Sequence, residues 1–263
     1  MVGRRGSAGL VSGDRVTFVG EAIVPVVEGL REVRALIGQP PVIVGGLAVL
    51  ARLSSPYRAT VDLDVVDRLR GLVPQLEVLR SATGARAVEP AAVLLPTRSG
   101  MVRVDVLEVR QIELDRPSDD PGDRLHASAH AWAHDTATDI TIEVLRLGGE
   151  QLEATAPVAE AGPLIAMKLQ AVMNRSDDKQ GTDLLDIVRL TLDASTRPVA
   201  VEQITRVAGP IAGDIALHVD LWFVRRRALV LSRLRDVGGV DVVADDIELV
   251  AELLLGAARR DAS

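Results

Sequence analysis

The sequence predicts an α+β protein, with a mixed sheet and flanking helices first and an all-helical region after it. Three observations point this way. Short apolar runs bounded by glycine, proline and serine recur through the first half of the chain and read as strands. Between them lie segments with apolar residues at helical spacing. From Pro163 onward the chain is rich in helix formers and predicts four or five helices with no convincing strand. A boundary between about 148 and 162 gives a sheet-bearing domain over 1–150 and a helical C-terminal domain over 151–263.

The elements follow in order. Residues 21–37 place apolar residues at helical spacing, with Pro25 near the start and Gly38 as the stop. Val42 to Val44 reads as a buried strand after Pro40 and Pro41, and Gly45 and Gly46 follow directly. Leu47 to Leu53 reads as a helix, Ser54 to Pro56 as a loop, and Thr60 to Val66 as an alternating strand. Residues 68–82 look helical. Val88 to Leu95 and Met101 to Val109 read as strands around a turn at Ser99 and Gly100, and Ile140 to Leu147 as a further strand.

Composition excludes several chemistries. There is no cysteine, so disulfides, thiolate nucleophiles and cysteine-based zinc sites are ruled out. No apolar run approaches the roughly 20 residues of a membrane helix. The first 20 residues carry Arg4 and Arg5 but no continuous apolar stretch, so a secretory signal is not expected and a cytoplasmic protein is. A net charge of −7 means that bulk electrostatics do not hold the chain on nucleic acid. Neither lysine, Lys168 or Lys179, follows the glycine pattern of a phosphate-binding loop. Aromatic residues make up 2 % of the chain, which leaves no stacking sheet for bases.

The informative stretch is VIVGGLAVLARLSSPYRATVDLDVV, residues 42–66. A strand enters Gly45-Gly46, a helix follows, and a second strand carries Asp62 and Asp64. Residues i and i+2 of a strand share a face, so these carboxylates project together while Val61, Leu63 and Val65 face the core. Adjacent carboxylates repel and call for a cation; magnesium, which prefers oxygen ligands, is the natural one. The glycines allow a close approach of backbone to phosphate at a helix N-terminus. On the strand Met101 to Val109, Asp105 shares a face with Arg103 and Leu107 and supplies a third carboxylate.

Gly-Gly, a helix, Asp-x-Asp and a later strand Asp together resemble the polymerase-β-like nucleotidyltransferase superfamily. Residues 58–66, RATVDLDVV, are similar to a signature of its AbiEii-like toxin branch, which includes the mycobacterial MenT toxins. Residues 166–190 resemble that branch's second signature, with Lys168 and Arg175 on one helical face and Asp183 and Asp186 on another. One departure is Gly45-Gly46, where many relatives carry Gly-Ser. The resemblance implies a polymerase-β-like domain transferring a nucleoside monophosphate from a nucleoside triphosphate to an acceptor hydroxyl. It implies two magnesium ions on Asp62, Asp64 and Asp105, catalytic roles for Lys168 and Asp186, and a nucleotide held by Gly45, Gly46, Arg58, Thr60 and Lys168. It further implies the 3′ end of tRNA as acceptor, and a toxin paired with an antitoxin protein. The alternatives are a small-molecule nucleotidyltransferase and an inactive member of the fold acting as a binding module.

Plainer readings stand beside these. An Asp-x-Asp on a strand is by itself often only an exposed edge. A lysine is usually a snorkelling surface residue. Asp183 reads equally as an exposed helix charge, whereas the apolar setting LLDIV favours the functional reading for Asp186; Arg225 to Arg227 read as a solvated face. His126, His130 and His134 are spaced four apart but lie between strands, so a zinc role is disfavoured.

Overall fold

The computed structural model describes residues 14–259; Arg4 and Arg5 lie outside the described residues. The chain begins with β1 (Asp14–Val19), α1 (Val24–Ile37), β2 (Val42–Val44), α2 (Gly45–Arg52) and β3 (Asp62–Asp67). It continues with α3 (Gln75–Arg80), β4 (Arg86–Glu89), β5 (Ala92–Thr97), β6 (Gly100–Glu108) and the short α4 (Gln111–Asp115). Then come α5 (Pro121–Asp135), β7 (Thr138–Leu145), β8 (Gln151–Val158) and α6 (Ala161–Ala171). Five more helices follow: α7 (Asp177–Leu192), α8 (Arg197–Arg206), α9 (Gly209–Val219), α10 (Arg227–Asp236) and α11 (Ala244–Ala258). A π-helical segment, Asp220–Arg225, joins α9 to α10. Among the described residues no helix is long and apolar enough to cross a membrane.

All eight strands form one mixed sheet in the order β1-β7-β8-β2-β3-β6-β5-β4. At its centre β3 runs antiparallel to β2 and parallel to β6. Strand alternation sets the two faces. Leu63, Val65, Val104 and Val106 are buried, at 1 % exposure or less, on the apolar face. There α1 lies close to β6, with Gly29 against Val102. Asp62, Asp64 and Asp105 open on the opposite face, under α5 and α6. The helix α6 is buried along its whole length from Ala161 to Gln170, because the sheet side and the later helices cover it from both directions.

Several sequence expectations need correction. The strand β8 was not expected; it pairs with β7 and β2, so the sheet runs past residue 150 and a division there falls in the β7–β8 turn. Its first half, Gln-Leu-Glu-Ala-Thr, is polar and largely exposed, which hides the strand from an apolar-run reading. The edge strand β1 was also missed. The helix expected over 68–82 is confined to Gln75–Arg80, because the Asp67 carboxylate accepts from the backbone N–H groups of Leu69 and Gln75, both at 2.8 Å, and shapes the preceding residues as a loop. The strand expected over 88–95 is a hairpin of β4 and β5. Val61 precedes β3 and is 64 % exposed rather than in the core.

Candidate active site

The carboxylates sit on neighbouring strands in matched register. Asp64 of β3 lies opposite Asp105 of β6, and Asp62 lies opposite Arg103. The three acids line one cleft of about 740 Å³. Burial raises the Asp64 carboxyl most; Asp105 and Asp62 push it further and Lys168 pulls against them, so that it stands at about 6. Burial and then Asp105 raise Asp62 as well. The cluster thus holds more negative charge than its surroundings offset.

The turn before α2 is built around Asp64. Gly45 has φ of +65°, and a Cβ there would lie 1.9 Å from Asp64 Oδ2. Only glycine lets the strand enter the helix beside that carboxylate. A Cβ on Gly46 would lie 3.0 Å from both Arg58 Nη2 and Thr60 Oγ1. No side chain caps α2, so its first N–H groups carry no side-chain acceptor. Gly45, Gly46, Arg58 and Thr60 all line the cleft, as the sequence expects.

Asp105 is not free. Arg103 donates to both of its oxygens at 2.7 Å, and its other contacts reach Glu89 at 3.1 and 2.8 Å. Among the described residues no group of three or more histidine, aspartate or glutamate side chains is arranged to hold a metal ion as it stands. The donor chemistry nevertheless suits a hard divalent cation: three carboxylates face one cleft, and two of them, Asp62 and Asp64, resist ionisation. Arg103 already has Glu89 as a second partner, so Asp105 can exchange its guanidinium for a cation without stranding a charge.

Lys168 lies on the cleft wall inside a buried ion network. Its Nζ donates to Asp183 Oδ1 at 2.5 Å and stands 2.8 Å from Asp186 Oδ2. Asp186 also accepts from Arg58 Nη2 at 2.9 Å and from the Tyr57 hydroxyl. Burial disfavours charge on both Lys168 and Asp186. Their mutual attraction, with Asp183 and Arg58, outweighs it, holding Lys168 above and Asp186 below their ordinary values. Asp186 is 0 % exposed and does not line the cleft. It therefore acts through the cations it holds, which corrects the expected catalytic placement. The expected shared face of Lys168 and Arg175 is corrected too. The helix α6 ends at Ala171 and a 3₁₀ turn intervenes, yet Arg175 Nε still reaches Asp183 Oδ2 at 3.0 Å.

Other cleft residues escaped the sequence reading. Lys179 lines the cleft, acts electrostatically on Asp62 and Glu89, and makes no hydrogen bond or ion pair among the described residues. His126 and His130 also line it, because the segment read as lying between strands is the helix α5. That helix was legible: Asp120 accepts from the N–H groups of Gly122 and Asp123, and Pro121 opens the first turn. His134 stands apart, paired with Asp135. Arg52 lies outside the cleft, bound to the Ala159 carbonyl at 3.0 Å. Arg225 and Arg227 pair with Asp220 and Glu248, and Arg226 lies 4.9 Å from the Trp222 ring centre; none lines the cleft.

No family model matches the chain, and no curated protein matches it. Among solved structures it is similar to the crystal structure of an antigenic nucleotidyltransferase-like protein from Paracoccidioides brasiliensis. The likeness has a TM-score of 0.44 and 20 % sequence identity, over 81 % of this chain and 92 % of that one.

Proposed function

We propose that the cleft transfers a nucleoside monophosphate from a nucleoside triphosphate to an acceptor hydroxyl, on a polymerase-β-like nucleotidyltransferase fold: the hydroxyl oxygen bonds to the α-phosphorus, the α–β phosphoanhydride breaks and pyrophosphate leaves. One observation carries the reading: Asp64 and Asp105 face each other across paired strands, Asp62 stands two residues away, and Gly45 is moulded against Asp64. Asp62, Asp64 and Asp105 would hold two magnesium ions. When bound, those ions supply positive charge for the phosphates and lower the pKa of the acceptor hydroxyl.

The chain's own residues do the rest. The uncapped N–H groups that open α2 donate to phosphate oxygens. Lys179 and Arg175 bring charge to the phosphates from the opposite wall. Lys168, clasped by Asp183 and Asp186, offsets the charge on Asp64 and fixes the wall on which Arg175 stands. With a cation on Asp105, Arg103 would keep Glu89 as its partner, and Asp105 would be placed to receive the hydroxyl proton.

The acceptor implied by the sequence resemblance is the 3′ end of tRNA, with the protein acting as a toxin held by an antitoxin. Arg58 and Arg175 line the cleft and are the arginines an RNA backbone would meet there, each already paired with a buried carboxylate, Asp186 and Asp183. The test is incubation with each labelled nucleoside triphosphate, magnesium and total cellular RNA. Labelled tRNA made by the wild type and not by Asp64→Ala is the expected result. RNA transfer should weaken steeply with added salt, since each phosphate contact releases counterions. No labelled RNA with any nucleotide would reject the tRNA acceptor and favour a small-molecule one.

A further inference from the structure

On the wall of the cleft formed by α5 and α6, two histidines and a glutamine lie together. His130 and Gln170 are 4 % and 8 % exposed, yet both line the cleft beside His126. Leu164 and Met167 add apolar surface next to them.

The hydrogen bonds fix which atoms remain. His126 Nδ1 lies 3.3 Å from Gln170 Oε1. An amide oxygen only accepts, so His126 Nδ1 donates to it, and Nε2 is the acceptor of the ring in its neutral form. His130 Nδ1 lies 2.6 Å from the His126 carbonyl oxygen. A carbonyl also only accepts, so His130 Nε2 is an acceptor too. Burial, then His126, push His130 down to about 3, so the ring stays neutral. Neither Nε2 atom, nor Gln170 Nε2, has a partner among the described residues. The wall therefore offers two ring-nitrogen acceptors and one amide donor.

That pattern has a chemical complement. A nucleobase with an exocyclic amino group brings two N–H donors and a neighbouring acceptor on one flat edge. Uracil brings carbonyl lone pairs on both sides of a single N–H, which would face the ring nitrogens. Phosphate is a poor occupant, because Asp123 stands one turn from His126 on α5 and the neighbouring Lys168 on α6 is held by Asp183 and Asp186. A metal is also a poor occupant, because among the described residues no group of three or more histidine, aspartate or glutamate side chains is arranged to hold one there.

We infer that His126, His130 and Gln170 form a subsite for the amino-bearing edge of the nucleobase of the triphosphate substrate. The inference rests on the nucleotidyl-transfer reading above. It explains why two polar side chains are buried at a cleft whose other wall handles charge: one wall recognises the base and the other the phosphates.

The test is equilibrium binding with magnesium to the full chain, using two matched pairs and one baseless probe. The pairs are cytidine with uridine triphosphate, and adenosine with inosine triphosphate; each differs by an amino group against a carbonyl. The probe is inorganic tripolyphosphate. The amino member of each pair should bind about tenfold more tightly, since a site built to pair a donor discriminates strongly against its absence. In His126→Phe, which keeps a ring but lacks the acceptor, that preference should collapse to near unity while tripolyphosphate binding stays as in the wild type. Equal affinity within both pairs in the wild type overturns the subsite without any variant. So does a full preference retained in His126→Phe. If neither tripolyphosphate nor any nucleotide binds, the transfer reading itself fails, and the subsite with it.

Discussion

At the residue scale, Asp64 concentrates the strain of the site. Its carboxyl titrates near 3.8 in the unfolded chain and at about 6 when folded. Between those values the folded protein holds a proton that the unfolded chain has lost. Stability therefore falls as pH rises through that window and stays reduced above it. The difference corresponds to on the order of 3 kcal/mol at neutral pH. Asp64→Asn should thus melt above the wild type at neutral pH without divalent cation, with the gap closing below about pH 4, and should lose transfer. Thermal denaturation across pH measures this, and coincident melting curves at neutral pH would reject the uncompensated charge. Nearby Asp193 titrates the opposite way. Burial raises it, but hydrogen bonds from Ser195 and Ser54 outweigh burial and bring it to about 2. One carboxylate is thus satisfied by its own fold, while the other carries a charge that its surroundings do not offset.

At the element scale, two junctions decide the site. The first is the turn from β2 into α2. Gly45→Ala forces a Cβ against Asp64 at a left-handed φ, and should destabilise the protein by about 2 kcal/mol or more while removing activity. Gly46→Ala meets only side-chain ends; it should keep the fold and shift Arg58 and Thr60. Chemical denaturation of the two variants separates these outcomes. The second junction is the clasp between α6 and α7. Lys168→Met leaves Asp183 and Asp186 buried without their shared cation, which should destabilise by about 3–5 kcal/mol. Lys179→Ala breaks no ion pair; it should leave denaturation unchanged and raise KM for the triphosphate about tenfold. If instead Lys168→Met keeps wild-type stability, the clasp carries no structural weight.

At the scale of the whole molecule, a divalent cation should couple to folding. A ligand that binds only the native state stabilises it, by about 2.7 kcal/mol at a hundred times its Kd. Magnesium or manganese should therefore raise the melting temperature of the wild type, and a chelator should reverse the rise. Asp62→Asn should show a much smaller rise, since one ligand is gone. The same rise in both proteins would place the cation elsewhere. The coupling is expected to be local, because the cleft gathers Asp62, Asp64 and Asp105 on neighbouring strands while exposed surface charge is screened by salt.

The sequence by itself determined the α+β class, the strand carrying Asp62 and Asp64, the glycine turn before α2, and Asp105 on its own strand face. These are local statements: alternation puts i and i+2 on one side, and glycine marks a strained turn. It missed β8, whose polar first half has no apolar run, and it left α5 unread although Asp120 and Pro121 announce a helix start. Only the tertiary structure decided how the cleft is peopled. Register alone sets Asp64 opposite Asp105, and the approach of β4 to β6 gives Arg103 to Glu89 as well. The crossing of α6 and α7 turns Lys168 inward to two carboxylates and leaves Lys179 open. The contacts that build the cleft join residues between 14 and 129 positions apart in the chain. Hydrophobic periodicity reports which face of an element is buried; it carries no information about which buried faces meet.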